Sequence, residues 1–256
     1  MIKQTIPIFA ISEYLKNTDS TGSHLRYNYD YPLTFDHEKD DVTFRLLSAT
    51  YWWNFPNISE KLQNNKLRFF VGATQYNVTF ENGLYSIDSI NNNMAQFFAN
   101  NALPTDLFVF FADDSTYKTS VQINVAGVYI NWANSSIGSI LGYTNVNSGP
   151  GNGGLWYDPP NLTKVNTISS VLINTNFTTG AYVNGKRTSV IANIPPDVSV
   201  GDQVYYSPNN TLECKVTNYT LDEISFYLTG EKGQALDTNG EAFTITGEFI
   251  VREKQK

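Results

Sequence analysis

Residues 221–252, LDEISFYLTGEKGQALDTNGEAFTITGEFIVR, contain two segments of alternating polarity joined by a Gly-rich loop. Successive side chains of a strand point to opposite faces, so a period of two predicts two strands that each bury one face. The period places Phe226 and Phe249 on the buried face and Tyr227 on the exposed face. We expect a terminal antiparallel pair on a hydrophobic core, with Asn239-Gly240 forming the tight turn into the last strand.

The composition of the chain favours an all-β fold. Of its 256 residues, 41% are hydrophobic, 14% are aromatic and only 16% are charged. Aromatic and β-branched residues fit the pleated surface of a sheet, and the abundant Asn serves the turns between strands. A chain of this length can bury one sizeable core, and all-β domains of this size are often single units.

One segment has the pattern of an amphipathic helix that lies on a sheet. Apolar residues recur at helical spacing from Ile87 to Phe98, Ser86 is a suitable N-cap, and Asn100-Asn101 ends the pattern. After it, the apolar run Leu107–Phe111 predicts a strand that is buried on both faces. The stretch 147–160 is rich in Gly and Pro and predicts a long loop between two halves of the chain.

Roughly eight strands in antiparallel hairpins with one lateral helix suit a jelly roll, a two-sheet β-sandwich. We therefore predict an all-β fold with a single jelly-roll domain over residues 31–256. Residues 1–30 are interpreted as an N-terminal arm. Ile6, Ile8 and Phe9 give the arm apolar surface without a clear period, so we expect it to become ordered by lying on another surface. Removal of residues 1–23 is accordingly expected to leave a folded sandwich.

Four parts of the sequence carry a resemblance to a known family. They are the loop Glu231–Glu241, the Trp52–Ile58 turn with Asn64-Asn65, the helix start Gly83–Ile90, and the Asp114–Lys118 segment followed by Ser136–Tyr143. In their order along the chain they resemble segments of the minor capsid (penton) proteins of virophages and polinton-like viruses. The resemblance covers roughly residues 31–252 and rests on the ordered co-occurrence of short motifs.

The resemblance implies a structural capsid protein, not an enzyme. A penton protein forms a homopentamer at the five-fold vertex of an icosahedral virion and contacts the major capsid protein around that vertex. The implied location is the virion, after synthesis in the host cytoplasm or a viral factory, and no cofactor is implied. The alternative from another class is a jelly-roll carbohydrate-binding module or a receptor-binding fibre head, since fold alone does not assign function.

Charge and apolar patterning argue against several partners. A net charge of -7 disfavours direct binding of nucleic acid, which requires clustered Lys and Arg. No apolar run reaches the ~18–20 residues of a membrane span, and the N-terminus lacks the pattern of a signal peptide. Cys214 is the only cysteine, which excludes an intrachain disulfide and is consistent with folding in a reducing compartment.

Catalytic and metal-binding constellations are also poorly represented. His24 and His37 are the only histidines, too few for a histidine-rich metal site, and no serine lies in a nucleophile-elbow motif. The pairs Asp40-Asp41, Asp113-Asp114 and Asp222-Glu223 could in principle serve glycoside hydrolysis, a third hypothesis. Adjacent carboxylates on a strand point to opposite faces, so we interpret them as turn residues and solvated charges.

The aromatic pair Trp156-Tyr157, beside a Gly-rich stretch, is the clearest candidate for a binding surface. Trp and Tyr provide large amphipathic surfaces at low entropic cost, which suits a protein interface, a receptor or a glycan at the outer loops. The opposing interpretation is that both rings fold back and close the end of the sandwich. The candidate interface residues are thus Ile6, Ile8, Phe9, Trp156 and Tyr157, with no catalytic, cofactor or metal site predicted.

Overall fold

The computed structural model describes residues 2–11, 16–17, 22–144, 148–149, 153–165, 168–179, 181–183 and 185–254. The chain divides into two compact units. The first unit comprises Met1–Phe55 and Ile168–Lys256, and the second comprises Pro56–Thr167. This division differs from the expected arm and single domain, because composition does not reveal that an internal segment has a core of its own.

The strands in chain order are β1 (Ile2–Ile11), β2 (Lys16–Asn17), β3 (His24–Thr34), β4 (Asp40–Trp52), β5 (Lys66–Val71), β6 (Thr74–Thr79), β7 (Phe108–Asp113), β8 (Lys118–Ile123), β9 (Val128–Ile130), β10 (Leu155–Tyr157), β11 (Val171–Thr175), β12 (Thr178–Thr179), β13 (Ala181–Val183), β14 (Lys186–Thr188), β15 (Val190–Ile194), β16 (Gln203–Tyr206), β17 (Glu213–Val216), β18 (Thr220–Gly230) and β19 (Thr244–Glu253). The helices are α1 (Ile87–Asn100) and α2 (Gly138–Leu141), with a 3-10 turn at Trp132–Asn134.

Two sheets enclose the core of the first unit. The six-stranded sheet has the order β1-β19-β4-β17-β12 with β16 also paired to β4, and the five-stranded sheet has the order β15-β11-β18-β3-β2. Strands β3, β4, β11, β12, β15, β17, β18 and β19 alternate between the two sheets, while β16 adds a further strand to the six-stranded sheet before β17. This alternation is the jelly-roll arrangement, as expected from the sequence. The second unit is inserted between β4 and β11.

The predicted direct pairing of the two terminal strands is wrong. Strand β18 pairs with β11 and β3, whereas β19 pairs with β1 and β4 in the other sheet. The period of two identifies the buried face of a strand but not its partner, and the connecting loop is long enough to cross between packed sheets. The assignment of the buried face is confirmed, because Phe226 and Phe249 are both buried and both contact the rings of Phe44 and Phe177.

Two local features of the terminal segment have clear steric causes. Asn239 and Gly240 both have positive φ, and the Glu241 N–H donates to the Thr238 carbonyl, which confirms the predicted tight turn. In β19, Gly247 lies beneath the Phe44 ring. A Cβ at this position would lie 2.2 Å from Cζ of Phe44, so the close approach of ring and backbone requires glycine.

The N-terminal residues form part of the sandwich. Strand β1 pairs with β19 from Ile2↔Arg252 to Ile11↔Thr244. Ile6 and Ile8 face the core of their own unit, while Phe9 points to the opposite, outer face. We expected this segment to become ordered by lying on another surface. For residues 2–11, that surface is the sandwich of the same unit. Apolar residues on both faces of β1 hide the period of two, which explains why the sequence shows none.

The second unit has its own aromatic core. Its sheets have the orders β6-β5-β9 and β10-β8-β7, and helix α1 contacts β7. Phe69 of β5 contacts Phe98 of α1 and Phe108 of β7. The predicted amphipathic helix is confirmed: Ile90, Met94 and Phe98 are buried, and Ser86 forms a capping box with Ser89.

The expectation that Leu107–Phe111 forms a strand buried on both faces is also wrong. Phe108 and Phe110 face the core, whereas Phe111 is exposed, so the strand is not buried on both faces. The edge of β7 that does not pair with β8 contacts Asn91 of α1. The side-chain amide of Asn91 accepts from the Phe110 N–H at 2.9 Å and donates to the Phe110 carbonyl at 2.8 Å. Asn91 therefore replaces a neighbouring strand along this sheet edge.

Candidate interaction surfaces

The outer face of the six-stranded sheet carries an exposed apolar surface, which we call the Phe9 surface. Phe9 is 72% exposed and Tyr205 is 70% exposed. The register of β1, β19, β4 and β16 brings them onto one face with Trp52 and a row of hydroxyl side chains. The Phe9 surface consists of Phe9, Ser48, Thr50, Trp52, Tyr205, Thr244 and Thr246.

The other end of the same sheet face is charged and internally paired. The guanidinium of Arg45 bonds the Glu248 carboxylate, and Arg252 donates to both oxygens of Glu213 at 2.6 Å. The adjacent Arg252 guanidinium lowers the pKa of Glu213. Because these charges are satisfied within the unit, the Phe9 surface is the part of the face that is left for an apolar contact.

The second exposed surface lies on the three-stranded sheet of β10, β8 and β7. Residues 155–157 form a strand although the sequence predicted a loop, because β10 pairs with β8. Trp156 is 53% exposed, and its ring contacts Phe111, which is 41% exposed, at a centroid distance of 4.7 Å. Tyr157 points inward, and its carbonyl accepts a hydrogen bond from the Tyr143 hydroxyl at 2.7 Å. The two candidate rings therefore lie on opposite faces of β10.

Polar side chains lie beside this aromatic pair. Gln122 is directly opposite Trp156, and Ser120 is directly opposite Phe111 in the register of the sheet. The Ser120 hydroxyl donates to the Asp158 carboxylate at 2.6 Å. We call Phe111, Ser120, Gln122, Trp156 and Asp158 together the aromatic platform. The sequence pattern does not indicate the Phe111 contribution, because that residue lies in a continuous apolar run.

A third exposed aromatic group comes from an irregularity in β3. The register between β3 and β18 shifts between Leu221↔Leu33 and Glu223↔Asn28, so the intervening residues of β3 bulge. Within the bulge, Tyr31 is 87% exposed, and Tyr29 contacts Tyr27 of the regularly paired part of β3 at a centroid distance of 4.9 Å. Burial, with a smaller effect of Tyr27, raises the pKa of Tyr29 to about 12. Sequence reasoning missed this group.

The five-stranded sheet has a groove on its outer side. It has a volume of about 400 Å³ and is bordered by Leu172, Ala192, Leu212, Tyr182 and Glu231. The Glu231 carboxylate accepts from the Ser169 N–H at 3.2 Å, and hydrogen bonds of this kind lower its pKa against the opposing effect of burial. The Glu231 carboxylate therefore stabilises the chain segment before β11.

The two histidines pack against tyrosine rings, and the cysteine is buried. The His24 ring contacts Tyr227 edge-on, and the His37 ring contacts Tyr219 in the same way. Cys214 is buried in β17, and burial raises the pKa of its thiol. Among the described residues, no group of three or more His, Cys, Asp or Glu side chains could hold a metal ion. Over the same residues, no helix has the length and apolarity needed to cross a membrane.

The acidic pairs lie at turns and in ion pairs. The Asp40 carboxylate contacts the Lys3 ammonium at 2.9 Å, and Glu223 contacts Arg26 at 3.0 Å. Asp113 accepts hydrogen bonds from the Ser115 and Thr116 hydroxyls, which lower its pKa to about 2. The described carboxylates of these pairs thus stabilise local structure.

Several of the motif residues meet in the second unit. The Asn57 amide accepts from the Tyr85 N–H at 2.8 Å and donates to the Tyr85 and Val165 carbonyls at 2.8 and 2.9 Å. Asn64 donates to the Asn57 carbonyl, and Ile58 and Gly83 exchange backbone hydrogen bonds. The turn that ends at Ile58, the first of the paired asparagines and the Gly83–Tyr85 segment therefore form one hydrogen-bonded cluster, which we call the Asn57 cluster (Asn57, Ile58, Asn64, Gly83 and Tyr85).

Comparisons with known proteins find similarity among solved structures only. No protein-family model and no curated protein matches the sequence. Among solved structures, the fold is similar to that of the mavirus penton protein, known from a crystal of its selenomethionine form. The two chains are 9% identical, with a TM-score of 0.47 over 98% of this chain and 100% of the mavirus chain.

Proposed function

We propose that this chain is a capsid protein that forms the five-fold vertex, or penton, of an icosahedral virion. The observation that carries the proposal is the Asn57 cluster. Two of the four parts that resemble segments of virophage and polinton-like virus minor capsid proteins, the Trp52–Ile58 turn with Asn64 and the helix start at Gly83, are separate in sequence but contact each other in space. A chance match of short motifs would not require such contacts. The jelly-roll topology of the first unit agrees with this proposal.

The Phe9 surface is the proposed contact between neighbouring subunits of the ring. A closed ring of five copies uses a heterologous contact, in which one face of a subunit meets a different face of the next. Exposed aromatic side chains with short hydroxyl residues between them have the composition of an interface core. A contact over them buries apolar area without removing charged groups from water. Ile6 and Ile8, which face the core of the first unit, would support the contact only by holding β1 in place.

The proposed function is structural, namely assembly of the vertex, and not catalytic. The partners would be four further copies of the chain and the major capsid protein that surrounds the vertex, without a cofactor. The proposed location is the virion, with assembly in the host cytoplasm or a viral factory. A fibre head would also be a jelly roll, but it would more naturally assemble as a trimer.

Negative-stain imaging of the purified protein, alone and mixed with its major capsid protein, tests the proposal. The expected result is five-fold rings or capsid shells with occupied vertices. Trimers, or particles whose vertices stay empty in the presence of the protein, would contradict it. The number of subunits in solution can be measured on the same samples by sedimentation or mass photometry.

A pair of variants tests the ring contact itself. Phe9→Asp introduces a charge into the proposed interface and should abolish rings while leaving the far-UV circular dichroism unchanged, because Phe9 is exposed in the single chain. Val200→Asp is the matched control, since Val200 is also exposed in the first unit but lies outside the Phe9 surface. Rings formed equally well by both variants would exclude the Phe9 surface as the contact.

A further inference from the structure

The aromatic platform combines two chemical features on one solvent-facing side of a sheet. The first is apolar: the rings of Trp156 and Phe111 contact each other at an interplanar angle of 48° and leave much of their area exposed. Contiguous exposed apolar groups that are rimmed by polar residues are a common mark of a binding surface. A single exposed ring would be unremarkable, but here β7 and β10, the two strands that flank β8, each contribute a ring.

The second feature is a set of hydrogen-bonding groups at the border of the rings. Gln122 stands opposite Trp156 across a strand pair, which places the two Cβ atoms about 5 Å apart on one face, and its amide offers both a donor and an acceptor. Asp158 follows one residue after Tyr157, and the Ser120 hydroxyl fixes one of its carboxylate oxygens at 2.6 Å. A held carboxylate is a strong acceptor for hydroxyl groups.

We propose that the aromatic platform binds an uncharged saccharide. A sugar ring has one face of C–H groups, which can cover an aromatic ring, and a rim of hydroxyls, which both donate and accept hydrogen bonds. The rings of Trp156 and Phe111 match the C–H face, and the side chains of Gln122 and Asp158 match the hydroxyl rim. These are the groups that orient a polar ligand on an otherwise apolar site.

Charge selects the class of saccharide. Asp158 lies in the platform, and the chain carries a net charge of -7, so a sialylated, sulfated or phosphorylated glycan would be repelled. No Lys or Arg is among the platform residues, and Lys118, the next outward residue of β8 beyond Ser120, stands opposite the carboxylate residue Asp113. A neutral hexose or N-acetylhexosamine oligomer therefore fits the platform better than an acidic glycan does.

Titration of the full-length protein with neutral oligosaccharides tests the inference. The probes are cellohexaose, maltohexaose and an oligomer of N-acetylglucosamine, with sialyllactose as the acidic counterpart, followed by saturation-transfer NMR and affinity electrophoresis. We expect at least one neutral probe to bind with little dependence on salt, and sialyllactose to bind more weakly. Failure of all three neutral probes, or a preference for sialyllactose, would overturn the inference.

Variants assign the binding to the platform. Trp156→Ala and Phe111→Ala should each weaken binding about tenfold or more, because each removes a central stacking surface. Asp158→Asn, which keeps the shape of the side chain, should weaken it by a smaller factor and serves if the alanine variants disturb folding. Tyr182→Ala removes an aromatic ring that is exposed on the first unit and should leave binding unchanged. Equal binding by wild type and Trp156→Ala would refute the assignment.

The inference does not rest on the proposed vertex role, and the two fail in different ways. Loss of ring assembly in Phe9→Asp with intact saccharide binding would leave the platform in place. If Trp156→Ala abolishes ring assembly and the wild type binds none of the probes, Trp156 belongs to a subunit contact, and the saccharide assignment is wrong.

Discussion

The two units of the molecule are built from contacts of very different range. In the first unit, β4 pairs with β19 and β1 pairs with β19, so residues from both ends of the chain meet in one sheet. In the second unit, β5 pairs with β6 and β7 with β8, and both pairs join neighbours in the sequence. The first unit therefore depends on contacts of high sequence separation, which form late and at a greater entropic cost.

The difference has a consequence for how substitutions should act. In the first unit, a substitution should affect stability most where the residue links strands from distant parts of the chain. The neighbouring residues in the sequence do not show which positions make such links. In the second unit, caps and turns connect adjacent segments, so their removal should act locally, whereas the Asn57 side chain also bonds the distant Val165 carbonyl. Substitutions in each unit, taken in order of expected effect, can test this contrast.

The largest effect is expected at the aromatic centre of the first unit. Phe249→Ala should lower the free energy of unfolding by about 3–5 kcal/mol, because it leaves a cavity beside Phe44 and Phe177. Tyr227→Ala should cost less, about 1–2 kcal/mol, since that ring is half-buried on the outer side. Urea unfolding followed by circular dichroism measures both values. Equal losses would show that the inward and outward positions have been assigned incorrectly.

The next effect concerns the hydrogen-bonded cluster of the second unit. Asn57→Ala should cost about 2–4 kcal/mol, because it leaves the Tyr85 N–H and two carbonyls without their partner in a buried place. Asn82→Ala is the matched control: its amide oxygen accepts one exposed hydrogen bond, from the Glu60 N–H, and it should cost far less. Similar values for the two variants would indicate that water replaces the Asn57 contacts.

A third test separates two neighbouring residues of β1. Ile8→Ser should cost about 1–3 kcal/mol, because Ile8 packs against the core, whereas Phe9→Ser should leave stability nearly unchanged. The pairing of β1 with β19 thus replaces the expectation that residues 1–23 can be removed without harm to the sandwich. Thermal unfolding of both variants measures the contrast. A stability loss confined to Phe9→Ser would mean that β1 is shifted by one residue.

The sequence predicted features that depend on near neighbours. The N-cap at Ser86, the buried positions of α1 and the Asn239-Gly240 turn each follow from a few adjacent residues. The buried faces of Phe226 and Phe249 follow from the period of their strands. Strand partners do not, because pairing is decided by residues that lie far away along the chain, and for this reason the alternating pattern alone wrongly predicts that β18 pairs with β19.

The candidate surfaces were predictable only in part. The sequence indicates Trp156 and Phe9 as aromatic candidates for an interface, and both are exposed. Their neighbours were not found, because Phe111 joins Trp156 through the pairing of β7, β8 and β10, and Tyr205 joins Phe9 through four strands of a sheet. The bulge that exposes Tyr31 arises from a register shift, for which the sequence has no simple signature.

The smallest expected effect is the pH dependence of the turn that joins β7 to β8. Hydrogen bonds from Ser115 and Thr116 hold the pKa of Asp113 at about 2, below the ordinary value of 3.8. A folded-state pKa below that of the unfolded chain means that folding favours the carboxylate, so the stabilisation is complete above about pH 4 and is lost as the pH falls through 2. Asp113→Asn should therefore lower the unfolding midpoint slightly at neutral pH and match wild type near pH 2. Asp114→Asn, at the exposed neighbouring position, is the control. A difference between wild type and Asp113→Asn that persists at pH 2 would mean that the side chain acts through shape and not through its charge.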